Sequence, residues 1–194
     1  MDIVDLSPAT QRLGDRVGRT PDDKLGWPTP CPSYTVGDLI EHVGRLARAF
    51  AAAADKDPGE YGGPPPPGDA ARLGPDWRTR IPRDLATLAR AWRQPGAWDG
   101  TTRVGGGDGP AAMAGLAAAD ELVVHGWDLA RATGQPYACE PELLAAAQSF
   151  LSQFASSDAP AGPDVAFGPS RALPAAAPQL DQAAILQVGN LKLP

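Results

Sequence analysis
The sequence predicts an all-α fold. Apolar residues recur every three to four positions in several separate segments, the period of an amphipathic helix. Those segments are parted by stretches rich in the chain's 22 glycines and 22 prolines, so helices alternate with long loops. No segment shows the period-two alternation that marks a strand. At 194 residues, 43% of them hydrophobic, the chain is long enough for one substantial core, and a single domain over 1–194 is expected.

Ser7-Pro8 reads as an N-cap with proline in the first turn, opening a helix over about 8–23 with Leu13 and Val17 inward. Pro28, Pro30 and Pro32 then break the chain. Thr35-Val36-Gly37-Asp38 reads as a capping box, with Asp38 where glutamate is usual. Leu39, Val43, Leu46 and Phe50 carry the next helix over about 36–54, and His42 lies beside that stripe. Residues 55–75 form a Pro/Gly loop without periodicity, long enough to be a lid over a site or a loose linker.

Trp77, Ile81, Leu85, Leu88 and Trp92 give the apolar face of a helix over about 76–94. The Gly-rich connection over 95–109 holds no G-x-G-x-x-G after a strand, so no nucleotide loop is read there. A fourth helix runs over about 110–133 and stops at Gly134, with Pro136 just beyond. A fifth runs from Pro141 to about 155. The remainder is Pro/Ala-rich, with a short helix over 179–189 in an otherwise irregular tail packed on the rest. The expected core is four long antiparallel helices, an arrangement in which inward side chains on facing helices build a site.

Bulk charge narrows the function. The net charge is −6 and no Lys/Arg cluster occurs, which argues against nucleic acid as a partner. The apolar runs are too short to cross a bilayer, and the acidic start, MDIVDLSPATQ, does not resemble a signal peptide. A cytoplasmic protein acting on a small molecule is expected, with no membrane partner; a homodimer is compatible with the sequence. Cys31 and Cys139 are too few for a disulfide framework and are read as reduced.

The chain has only two histidines, and both fall on core-side helical positions. Glu121 and His125 are i and i+4, one above the other on a helix face, and Asp128 continues that ridge. With His42 from a facing helix they offer two imidazoles and one carboxylate to a single point. Such a set leaves open positions for substrate on a divalent ion. The structural alternative is a surface Glu121 with two packed imidazoles. Asp128 orients His125 or a metal-bound water, or is an exposed acid near Arg131. Arg45, three residues after His42, meets an anionic substrate or cofactor at the mouth or is merely solvated. Trp127 points to a different face and reads as packing. Trp27 and Tyr34 read as core anchors, with pocket lining as the alternative, and Cys31 as a small buried hydrophobe.

Two blocks carry a resemblance: TPCPSYTVGDLIEHV, with His42, and DELVVHGWDLARATGQP, with Glu121 and His125. They resemble the N-terminal family of mycothiol-dependent maleylpyruvate isomerases, within the DinB-like superfamily. His-Gly-Trp-Asp-Leu-Ala is the most distinctive run. The resemblance implies an up-down four-helix bundle holding one divalent ion through His42, Glu121 and His125. Zinc is usual in such relatives; nickel or iron also suit the set. It further implies mycothiol as the bound thiol, activated for S-transfer to, or isomerisation of, a small electrophile.

The chain departs from the family at three places. It is too short for the C-terminal domain of the full isomerase, its connection before the fourth helix is unusually Gly-rich, and Asn190 stands where an arginine is expected. Two other functions stay open: a non-catalytic metal- or small-molecule-binding protein, and a metal-dependent lyase or hydrolase that uses no thiol.

Overall fold
A computed structural model of the chain describes residues 3–155. The described part is mostly helical, with five α-helices and one small sheet. In order these are α1 (Ser7–Arg19), α2 (Val36–Ala54), α3 (Trp77–Trp92), β1 (Thr101–Val104), β2 (Gly107–Pro110), α4 (Ala111–Thr133) and α5 (Pro141–Ala155). The tail after residue 155, the helix expected over 179–189 and Asn190 lie outside the described residues.

Helix α1 is shorter than its periodicity suggests. Ser7 is its first residue and not its cap; the Asp5 carboxylate accepts from the Ser7 N–H at 3.0 Å and from its hydroxyl at 2.6 Å. The helix ends at Arg19 instead of 23 because Pro21 forces Thr20 into an extended conformation. Helix α2 opens on the expected capping box. Asp38 accepts from the Thr35 N–H at 2.9 Å, and the Thr35 hydroxyl accepts from the Asp38 N–H at 3.3 Å. Leu39, Val43 and Phe50 are buried as the stripe demands, and so are all five residues named for the face of α3. Helix α4 ends at Gly134, whose φ of 71° is the left-handed cap expected there.

A correction falls in the Gly-rich connection, where no strand was expected. Strands β1 and β2 pair antiparallel, Thr101 opposite Pro110 and Val104 opposite Gly107. Gly105 and Gly106 join them with φ of 65° and 91°. Positive φ at both central positions is the type I′ turn that suits a two-residue hairpin. The strands escape a pattern search because β2 is Gly-Asp-Gly-Pro and offers no apolar alternation. The Thr102 hydroxyl donates to the Ala53 carbonyl at 2.6 Å, fastening the hairpin to the last turn of α2.

Helix α2 packs on α3 and α4, helix α1 also packs on α3 and α4, and α5 packs on α4. Helix α4 is therefore enclosed on nearly every side, and its polar residues Asp120, His125 and Asp128 are buried with the apolar ones. The loop over 55–75 is held against α2 in its second half. The Ala70 N–H donates to Asp38 at 2.8 Å, the Asp69 N–H donates to Glu41 at 3.2 Å, and Arg72 pairs with Glu41 at 3.2 Å. Gly68 makes this approach possible: a Cβ there would stand 2.4 Å from the Asp38 carbonyl oxygen and 3.2 Å from the His42 Cβ. No helix among the described residues is long and apolar enough to cross a membrane.

Candidate metal centre
Helices α2 and α4 bring His42, Glu121 and His125 together, with one ligand atom from each lying within 4.8 Å of the others. Glu121 Oε2 is 4.0 Å from His42 Nε2 and 2.8 Å from His125 Nε2. The two imidazole rings stand nearly perpendicular, their centroids 5.1 Å apart. His125 is 0% exposed and His42 4%, whereas the Glu121 side chain retains 25% of its accessible surface, so the carboxylate marks the open side.

The donor set fits a divalent cation. Glu121 Oε2 and His125 Nε2 are buried atoms that make no hydrogen bond despite their short separation. A buried oxygen and nitrogen this close but misaligned for a hydrogen bond are costly unless a proton or a cation lies between them. Two imidazole nitrogens and a carboxylate oxygen are the ligands that zinc and its neighbours take, and three of them leave coordination open. Behind His125, Asp128 Oδ2 lies 3.2 Å from Nδ1. Asp128 is 1% exposed, so it is the orienting partner of His125 and not a surface acid near Arg131.

The charges are strongly coupled. Burial and the neighbouring His125 push the His42 pKa down to about 4, against the pull of Glu121. For His125 burial also acts downward, yet the Glu121 and Asp128 carboxylates prevail and lift it to about 10. Burial would raise Glu121, but the two histidines hold it below the usual carboxylate range. His42 is thus a neutral donor at neutral pH. Without a cation at the centre, a proton on His125 balances the two carboxylates, and a metal ion bound there would displace it.

Other residues singled out in the sequence fall into place around this centre. Tyr34 is buried with its ring 5.3 Å from that of His42, and its phenol oxygen accepts from the Gly68 N–H at 3.1 Å. It is a core anchor that also walls the site. Trp27 is a correction: it is 46% exposed, with the Lys24 ammonium 4.6 Å above its ring, because the proline-broken segment turns it outward. Trp127 is half-buried on another face of α4, beneath Arg131. Cys31 is 1% exposed, and burial, with Asp128 and Glu121 nearby, pushes its thiol up to about 11. It is a neutral packing residue beside the centre. Arg45 is half-buried, and its charge contributes to the depression of His42.

Asp120 escaped the sequence reading. It is 1% exposed, and burial together with the adjacent Glu121 raises its pKa well above the usual carboxylate range. The signal was present in its surroundings: with Ala118, Ala119 and Leu122 to Val124 around it, helix α4 has no polar face at that level.

Comparison with known proteins places the chain in a family. Two uncharacterised proteins from two strains of Mycobacterium tuberculosis are each 34% identical over 171 residues, covering 84% of this chain and 83% of theirs. The crystal structure of the mycothiol-dependent maleylpyruvate isomerase matches with a TM-score of 0.58 at 20% identity, over 77% of this chain and 68% of that one. A histidine-to-alanine mutant of the same isomerase matches with the same TM-score at 18% identity. At these identities the likeness shows a shared fold. The sequence profile of the mycothiol maleylpyruvate isomerase N-terminal domain matches residues 6–130, and the chain belongs to that family.

Proposed function
We propose that this protein is a cytoplasmic, divalent-metal-dependent enzyme that activates a thiol, mycothiol, for transfer to or isomerisation of a small electrophile. In this reading the chain is a single domain built on a DinB-like up-down four-helix bundle, and zinc is the ion assigned. The observation that carries it is the convergence of His42, Glu121 and His125 in a member of this family.

The chain's own residues define what such a centre does. His42 offers a neutral nitrogen from α2, His125 offers a second from α4 once its proton is displaced, and Glu121 supplies the charge. Asp128 fixes the His125 ring so that Nε2 faces inward. Tyr34, with the Gly68 segment donating to it, covers His42 and limits water on that side. A divalent ion held there supplies Lewis acidity, which lowers the pKa of a thiol and readies it for addition to electrophilic carbon.

The test is elemental analysis of protein purified without a metal-binding tag, alongside His42→Ala, Glu121→Ala and His125→Ala. About one divalent ion per chain is expected in the wild type and is lost from each variant that keeps its helical circular dichroism. The loaded protein is then offered mycothiol with a panel of electrophiles. Metal retention without turnover would favour a binding protein, and turnover independent of thiol would favour a lyase or hydrolase.

A further inference from the structure
A metal-binding histidine is ordinarily held by a hydrogen bond at the ring nitrogen that faces away from the ion. His125 has that hold through Asp128, but His42 has none: its Nδ1 is buried without a partner. The outer torsion of an imidazole is soft, so packing alone must set this ring. The His125 ring meets it edge-on at 5.1 Å, and the Tyr34 ring lies against it at 5.3 Å. The third contact is the strap of chain over 67–72. It crosses the start of α2 so closely that a Cβ on Gly68 would stand 3.2 Å from the His42 Cβ.

The strap also sets Tyr34, because the Gly68 N–H donates to the phenol oxygen at 3.1 Å. Its fit on α2 is tight: a Cβ on Gly37 would stand 2.8 Å from the Ala70 Cβ. Two of its ties are single backbone donors, Asp69 to Glu41 and Ala70 to Asp38. Arg72 makes a two-point tie, with Nε 3.4 Å from Glu41 Oε1 and an outer nitrogen 3.2 Å from Oε2. The same guanidinium donates back to the Pro67 carbonyl and to Asp69, so it closes the strap on itself. Glu41 is buried, and Arg72 is the only cation paired with it among the described residues. Without Arg72 it would be a buried carboxylate lacking a counter-ion, which favours turning it to water and freeing the Asp69 N–H.

We propose that Arg72 is a positioning residue for the candidate centre: paired with Glu41, it keeps the strap seated on Tyr34 and His42 and so fixes the imidazole that nothing holds at Nδ1. The ion that this serves rests on the proposed function; the hold on the ring does not.

The test follows the ring and the ion separately, in the full chain, with circular dichroism recorded for every variant. The chain has two histidines, so proton–carbon NMR gives one set of imidazole signals from each, assigned with His42→Gln. In metal-free Arg72→Gln at constant pH the His42 signals are expected to shift and broaden, with those of His125 much less affected. In zinc-loaded protein, release of zinc to an excess of chelator is expected to quicken about tenfold or more. Arg72→Lys, which keeps the charge without the fork, should recover part of both effects. Tyr34→Phe, which cuts the tie to Gly68 and keeps the ring, should also quicken release and add little to Arg72→Gln. If Arg72→Gln loses its helices, Tyr34→Phe carries the same two readouts. Arg78→Gln, which breaks a pair with Asp22 outside the strap, should change neither. The proposal is overturned if Arg72→Gln leaves the His42 signals or zinc release unchanged, if it and Tyr34→Phe add in full, or if Arg78→Gln acts as strongly. A wild type that takes up no zinc while His42 responds to Arg72→Gln would sink the metal reading and leave the positioning standing. Zinc bound by the wild type and released no faster by Arg72→Gln, with the His42 ring unmoved, would sink the positioning alone.

Discussion
At the scale of single residues, the candidate centre depends on a side chain that touches no ligand position. Asp128 holds the His125 ring through Nδ1, while His42 Nδ1 is buried without a partner. The two imidazoles are therefore unequally supported, and Asp128→Asn should weaken zinc binding about 10- to 100-fold with the helices intact. Competition with a chromogenic chelator measures this; an unchanged affinity would reduce Asp128 to packing. A second prediction concerns Cys31. With a pKa near 11 and 1% exposure, its thiolate fraction at pH 8 is about 0.1%, so brief iodoacetamide treatment should label the half-exposed Cys139 first. Mass spectrometry of the peptides decides the order. The ligand triad was legible because Glu121 and His125 obey helical spacing and histidine is so scarce. Asp120 was not, because a lone acid beside Glu121 looks like half of a solvated pair until the enclosure of α4 is known. Trp27 misled in the opposite sense: an aromatic among prolines reads as an anchor, but its exposure depends on where the turns point.

At the scale of elements, the start of α2 joins the helix to the loop over 55–75. Asp38 caps the helix through Thr35 and also accepts from the Ala70 N–H. Burial alone would raise its pKa, but these hydrogen bonds outweigh burial and lower it below the ordinary range of an aspartate. A carboxyl with a depressed folded pKa stabilises fully above its unfolded pKa and loses that contribution as pH falls through the folded one. Asp38→Asn, which mimics the protonated acid, should thus cost about 1 kcal/mol at pH 7, with the gap closing as pH falls below about 3.8. Urea unfolding of both proteins across that range checks it, and a gap independent of pH would remove the charge from the explanation. In the same segment, Gly68→Ala would drive a Cβ into the Asp38 carbonyl at 2.4 Å and lift the loop from His42. Hydrogen exchange should then rise over residues 67–72 more than over α1, which lies outside this contact. The capping box and the helix faces were readable from local spacing. The hairpin was not, since two turn glycines among four others give composition without periodicity.

At the scale of the whole molecule, the pairing of helices decides everything, and local pattern does not contain it. Each helix announced its apolar face, but that α2 and α4 meet at His42 and His125 was inferred from the core-side positions of the two scarce histidines and implied again by the resemblance of two sequence blocks, and it is the contacts of the fold that bring the helices together. The consequence is energetic as well as chemical. Helices α2 and α4 are separated in sequence by α3 and the hairpin, and the centre spans them, so an ion there ties together segments that an unfolded chain leaves apart. A ligand that binds only the folded state stabilises it by RT ln(1 + [L]/Kd), about 2.7 kcal/mol at a hundredfold excess over Kd. For a domain of this size that is roughly 5–10 °C in Tm. Metal-stripped protein should therefore gain about that much on addition of zinc, and the gain should grow with the logarithm of free zinc. His42→Ala, missing a donor from α2, should show little of the gain even though α4 keeps Glu121 and His125. Differential scanning calorimetry over a zinc series makes the comparison. If the histidine variant gained as much as the wild type, the ion would be bound within α4 or elsewhere, and the two helices would be held by packing alone.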